Sequence, residues 1–196
     1  MNTFLHFLRT YRWVIIGTLA VFLITGSVEF FMGRIPLGPD GKFGLWEGNI
    51  WSSEQSQRFA DPYSFSHIIH GMIFYWFLWL VARKMPTKYR FVCALALEAC
   101  WELLENSPLI INRYREATIA QGYVGDSIFN SLSDIVMVAG GFLFSYRFKP
   151  WITVTAIIVM EVATLLWVRD NLTLNIVMLI YPFEAIKLWQ FAGRPM

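Results

Sequence analysis

Charge is scarce in this chain. Only 15% of its 196 residues are Asp, Glu, Lys or Arg, against roughly 25% in an ordinary soluble domain. The formal net charge is +2, and no basic stripe gathers the cations. That excludes the electrostatic footprint expected of a nucleic-acid partner. Cysteine is scarcer still. Cys93 and Cys100 lie seven residues apart in one apolar run, too distant along a helix axis to bond each other. A disulfide scaffold and a cysteine-type zinc site are both excluded, and the two read as buried small hydrophobes. No internal repeat and no second domain is visible, so residues 1–196 read as one integral domain. What is plentiful is apolar: 56% of residues are hydrophobic and mean hydropathy is +0.47. The class that fits is a multi-pass membrane protein with short connections.

Apolar runs at about 13–31, 65–82, 91–111, 127–146, 151–168 and 172–191 approach the ~20 residues that cross a bilayer. They predict an all-α bundle of six transmembrane helices. No small-residue cleavage pattern follows the first run, which reads as a retained span rather than a signal peptide. The longest polar stretch, 33–64, opens on the turn cluster Pro36, Gly38, Pro39, Asp40 and Gly41. It then interleaves Phe43, Trp46, Trp51 and Phe59 with Glu47, Glu54, Arg58 and Asp61. Such a segment either rests at headgroup level or folds back as a lid. Arg9, Arg12, Arg83, Lys84, Lys88, Arg90, Arg147 and Lys149, with Lys187 and Arg194, fall on one side of the six-span arrangement. Lys/Arg bias in short loops sets orientation. Both termini are therefore expected in the cytoplasm of a bacterial inner-membrane protein, with 33–64 in the periplasm. Glu29 near the outer end of the first span is expected to reach water. Glu161 and Glu184 read as structural, with Lys187 a partner for Glu184 three residues away.

The informative region is 95–141. Glu98, Glu102 and Glu105 share one helical face, and Asp126, Asn130 and Asp134 form a second ladder. His67 and His70 sit one turn apart at the outer end of the second span. A rise of about 1.5 Å per residue sets His67, Glu105 and Asp126 at the rim. His70, Glu102 and Asn130 come a turn deeper, and Glu98 and Asp134 lie near the midplane. Ionisable groups inside a membrane are costly, so a set at matching depths on three helices is a functional-site hypothesis. The structural reading is that these groups only glue helices together through hydrogen bonds. As chemistry, Glu102, Glu105, Asp126, Asp134 and His70 suit acid–base catalysis once burial moves their pKa values. His67, His70, Glu102 and Asp126 also suit a divalent metal, as mixed imidazole and carboxylate ligands do. The spacing His67-Ile68-Ile69-His70 does not match the zinc-protease helix. Arg113, Arg115 and Arg58, with Asn130 and Glu98, read as binding residues, since Arg grips phosphate or carboxylate. The competing reading of the arginines is headgroup anchoring.

SHIIHG followed by ALEACWELLENSPLIINRYREATIAQGYVGDSIFNSLSDI resembles an uncharacterised bacterial inner-membrane family, a domain of unknown function of the UPF type. More distantly, the order of His70, Glu102, Arg115, Asp126 and Asn130 is similar to VanZ-like membrane proteins, which implies a role in the cell envelope. A weaker likeness, in FNSLSDIVMVAGG, is to lipoprotein signal peptidase, with spacing that differs by one. The expectation is a cell-envelope protein with a periplasm-facing His/Glu/Asp pocket. It would be a hydrolase or transferase acting on a membrane lipid or lipid-linked phosphate. The alternative is a non-enzymatic binding or assembly subunit that uses the same network for packing or ligand capture. A transporter ranks third, because neither repeats nor interrupted helices stand out.

Overall fold

A computed structural model describes residues 2–194. Among them are eight helices and no strand: α1 (Asn2–Phe31), α2 (Ser64–Val81), α3 (Thr87–Glu105), α4 (Pro108–Ala117), α5 (Ile128–Arg147), α6 (Pro150–Val168), α7 (Leu172–Ile180) and α8 (Glu184–Phe191). Four stretches, in α1, α2, α5 and α6, are long and apolar enough to cross a membrane. α3 has comparable length but carries Lys88, Arg90 and the three glutamates. α1 and α6 present bare apolar surface, with Leu23 at 70% and Leu166 at 78% exposed. A single helix side left uncovered in this way suits lipid rather than water.

α2, α3 and α5 form the centre. Gly71 and Gly141 face each other where α2 crosses α5. A Cβ on Gly71 would collide with the Val138 carbonyl, and one on Gly141 with the Ile68 carbonyl. Small residues let two backbones approach this closely, and packing is the main force between helices in lipid. Leu78, Ala94 and Phe142 fill the end of the bundle near the basic turns, and Leu95, Ala99, Ile135 and Val138 fill its middle. The two cysteines are not buried as expected: Cys93 is half-buried and Cys100 exposed, both free thiols on the outside of α3.

Two of the six expected spans are interrupted. The run 91–111 breaks at Asn106–Ser107, and Pro108 starts α4 in a new direction. Proline at N1 lacks only a donor that a helix start leaves free anyway. The run 172–191 breaks at Tyr181–Phe183 around Pro182. At nine residues, α7 is about 14 Å long, far short of a span. α8 then doubles back: Lys187 Nζ donates to the Glu116 carbonyl at 2.8 Å, not to Glu184. Gln190 donates to Asp170, just ahead of α7, at 3.0 Å. Arg194 lies over Trp51 of the 33–64 segment. By contrast, the Thr10 carbonyl accepts from Lys88 at the basic end. Thr10 and Arg194 therefore sit at opposite ends of the bundle, whereas the six-span reading expects both termini on one side.

The 33–64 segment folds back over the N-terminal end of α5. Ser127 N–H donates to the Ser56 carbonyl, Ile128 N–H to Ile35 and Phe129 N–H to Pro36. Asn130 Nδ2 donates to the Arg58 carbonyl at 2.7 Å, and the Ser133 hydroxyl donates to that of Phe59. Trp46 stacks on Trp167 at 5.7 Å, joining the segment to the end of α6. Of the two readings of this segment, the lid describes it.

Candidate functional site

Under the lid lies a cavity of about 730 Å³. His67, His70, Glu105, Asp126, Asn130 and Asp134 all line it. α2 supplies the imidazoles from its first two turns. α3 supplies Glu105 and Trp101, and α5 supplies Asn130 and Asp134. α4 adds Tyr114, and α7 adds an apolar wall of Leu172, Ile176 and Leu179. The Ser127 side chain caps α5 by accepting from Asn130 N–H at 3.2 Å. This cap starts the helix at Ile128, two residues after Asp126. Asp126 thus precedes α5 rather than belonging to its ladder.

The floor of the cavity is an imidazole–carboxylate cluster. His67 Nδ1 is 2.5 Å from Glu98 Oε1 and 3.5 Å from Glu102 Oε1, while its Nε2 is 3.7 Å from Asp134 Oδ2. His70 Nδ1 is 3.1 Å from the other Glu98 oxygen. Glu98 and Glu102 are fully buried. Glu98 is shared by the two rings, but neither Glu102 oxygen has a hydrogen-bond partner. Ligand atoms of His67, His70 and Glu98 lie within 4.8 Å of one another, and so do those of His67, Glu102 and Glu105. Asp126 belongs to neither group, and Glu98 stands with the two histidines in the first. The depth ladder is offset by about one turn: His67 meets Glu98, Glu102 and Asp134 as well as Glu105, but not Asp126. The close α2–α5 crossing at the two glycines sets this register, whereas the sequence estimate counted from helix ends.

Asp126 heads a second group at the rim. Its carboxylate accepts from the Tyr123 hydroxyl at 2.9 Å and from Asn106 Nδ2 at 3.2 Å. Asn106 Oδ1 accepts from the Asp126 N–H at 2.7 Å. Burial pushes the Asp126 carboxyl up to about 6, against the lowering pull of Tyr123, Ser56, Asn106 and Arg34. Burial and the neighbouring Asp126 charge push the Tyr123 hydroxyl up from its ordinary value. Asp61, in the lid, is also raised to about 6 by burial. It accepts from the backbone N–H groups of Ser56, Tyr63 and Ser64 and so fixes the entrance to α2.

The expected arginine binders are elsewhere. Arg58 pairs with Asp40 at 2.8 Å and Glu54 at 3.0 Å within the lid. Arg113 donates to the carbonyls of Leu179 and Ile180, which end α7. Arg115 donates to the Tyr123 carbonyl at 2.6 Å. None of the three lines the cavity; Arg194, from beyond α8, does. Asn130 and Glu98 do reach the site, Asn130 as a lid tie and Glu98 as the hub of the histidines. Glu29 does not reach water. It is fully buried beside Ser131 and near Arg34. Asp61, Asn106, Tyr114 and Tyr123 were not anticipated. The first is a capping residue ahead of an apolar run, a legible signal; the others become neighbours only through the break between α3 and α4.

The family described as a protein of unknown function, DUF2585, matches residues 29–192. A UPF0314 protein of Agrobacterium fabrum is 49% identical over 184 residues, 94% of this chain and 92% of that protein. One from Sphingopyxis alaskensis is 46% identical, covering 92% of this chain and 95% of its own length. One from Brucella anthropi is 45% identical, covering 88% and 87%. No solved structure matches the chain. These matches lend no support to the VanZ-like or signal-peptidase resemblance. They do span the lid, both polar ladders and the doubled-back α7–α8 pair, and the chain belongs to the DUF2585 family of bacterial UPF0314 proteins.

Proposed function

We propose that this is a bacterial inner-membrane enzyme of the cell envelope, a hydrolase or transferase acting on a lipid or lipid-linked phosphate compound. On this reading α3 crosses together with α1, α2, α5 and α6, and the basic turns at 82–90 and 147–150 face the cytoplasm, as the positive-inside rule asks. The lid, α4, α7, α8 and Arg194 then lie on the periplasmic face, with the cavity opening among them. One observation carries the enzymatic reading: acids and imidazoles from three crossing helices and from the α4–α5 connection face one roomy cavity. A packing or assembly subunit would instead close its network, with every carboxylate paired and no cavity.

Asp126 does acid–base work here. A carboxyl held at about 6 takes and returns a proton near neutral pH. Asp134 and Glu105 line the same space and serve as further proton donors or acceptors. The apolar wall of α7 suits the hydrocarbon part of a lipid. Arg194, over Trp51 at 5.3 Å, is a cation placed to meet a phosphate group at the rim.

The test is turnover in nanodiscs made from bacterial inner-membrane lipid, supplemented with polyprenyl phosphates and followed by mass spectrometry. The wild type is expected to consume one lipid class. Asp126→Asn, eluting as folded protein, is expected to lose at least 100-fold in rate. Equal rates for the two, or no lipid consumed, would overturn the reading. Arg194→Cys labelled by an impermeant maleimide on intact cells supports five crossings; protection until lysis would restore six.

A further inference from the structure

We propose that the cavity floor binds a divalent transition-metal ion of the zinc class, through His67, His70, Glu98 and Glu102. The proposal rests on the enzymatic reading of the same cavity but makes its own demand on the molecule.

Hydrogen inventory carries the argument. His67 Nδ1 faces two carboxylates, at 2.5 Å and 3.5 Å, yet a ring nitrogen holds at most one proton. That proton serves Glu98 and leaves Glu102 with nothing. Both Glu102 oxygens are buried without a partner, a costly state for any polar group and more so for a charged one. Protonating Glu102 would remove its charge and make it a donor, but the nearest ring nitrogen, His67 Nδ1 at 3.5 Å, is already engaged at 2.5 Å with Glu98. A cation held by His67, His70 and Glu98 gives both rings and Glu98 a common partner, and it sets a positive charge beside Glu102, which joins His67 in the adjoining triad. Their spread, within 4.8 Å in each overlapping triad, is close to what two metal bonds of about 2.1 Å each can bridge.

Charge points the same way. Asp61, Glu105, Asp126 and Asp134 also line the cavity, and Arg194 at the mouth is the lining cation. A dication offsets what buried carboxylates otherwise concentrate. The surroundings fit a metal-bound histidine as well. With Nδ1 on the ion, His67 presents its Nε2–H toward Asp134, 3.7 Å away. A carboxylate behind the ring is the usual device that fixes a ligand's tautomer. Imidazole and carboxylate together favour zinc, manganese or iron over magnesium and calcium. Glu105, in the second triad with His67 and Glu102, stands on the cavity side of the floor, where an exchangeable position would open.

The experiment uses the full chain in detergent, stripped with chelator and titrated with zinc and then manganese chloride by calorimetry. One ion per chain is expected. Asp134→Asn should weaken binding about 10–100-fold. Glu102→Gln and His70→Gln should weaken it at least as much, while the exposed Glu184→Gln binds as wild type. Unchanged binding in Glu102→Gln and His70→Gln, or no binding by wild type, overturns the proposal. Should the variants not fold, X-ray absorption on zinc-loaded wild type decides. Two imidazoles with oxygen neighbours support the site; sulfur or a single imidazole overturns it. Turnover without bound metal would sink the ion and keep the enzyme. Metal binding without turnover would do the reverse.

Discussion

The two ends of the α2–α3–α5 bundle are built by opposite rules from the same three helices. At the basic end, Leu78, Ala94 and Phe142 pack into an apolar core, although Arg90 and Ser145 are buried on the same turns of α3 and α5. At the lidded end, two turns of each helix replace that core with His67, His70, Glu98, Glu102, Asn130 and Asp134. In lipid no hydrophobic force draws helices together, so close packing at one end must hold what polar desolvation at the other tends to push apart. The glycine crossing of Gly71 and Gly141 lies between the two. The basic end supplies stability, and the lidded end spends it on a site.

The contrast can be broken from its strong side first. Phe142→Ala leaves a void in the apolar end and should cost about 3–5 kcal/mol, seen as loss of monodisperse protein on heating in detergent. Gly141→Ala forces α2 and α5 apart and should cost about 1–3 kcal/mol. It should also disturb the site, since the crossing sets the register of the histidines. pH tests the lidded end alone. Asp61, Asp126 and Asp170 are raised by burial from 3.8 to about 6 in the folded chain. Their favourable contribution is complete below 3.8 and is lost as pH rises through about 6. The thermal midpoint should therefore fall between about pH 4 and pH 6 and level off above that, and the fall should be shallower in Asp126→Asn. Glu102→Gln in metal-free protein should change stability by less than about 1 kcal/mol, because no hydrogen bond is lost. Arg58→Ala should have the smallest global effect, since ion pairs at a protein's surface contribute little, yet speed proteolysis within 33–64.

What could be read in advance divides along the same line. Spacings of four and seven identified the Glu98–Glu102–Glu105 face and the Asn130–Asp134 stripe, because helical periodicity is local. The meeting of those faces with His67 and His70 was legible from depth alone, though a turn out of register, since a crossing angle is not written in any one segment. Pro108 after Ser107, and Pro182 between Tyr181 and Phe183, were visible signals that the last part of each run turns aside. Hydropathy averaged over them and so produced a sixth span. The arginines misled for a different reason. A guanidinium suits phosphate, and it suits the free carbonyls at a helix end equally well, as Arg113 does at Leu179 and Ile180. Glu29 looked like an interfacial acid until α5 covered it.

The lid is sewn down by its main chain. Ile35, Pro36, Ser56, Gln57, Arg58 and Phe59 are held to α5 or its cap through backbone carbonyls, an atom every amino acid carries. The residues it turns toward the cavity, Ile50, Trp51, Ser52 and Gln55, lie between those stitches. Descendants of this chain are free to rewrite that surface, and with it the choice of visitor, while the fastening and the acids beneath stay as they are.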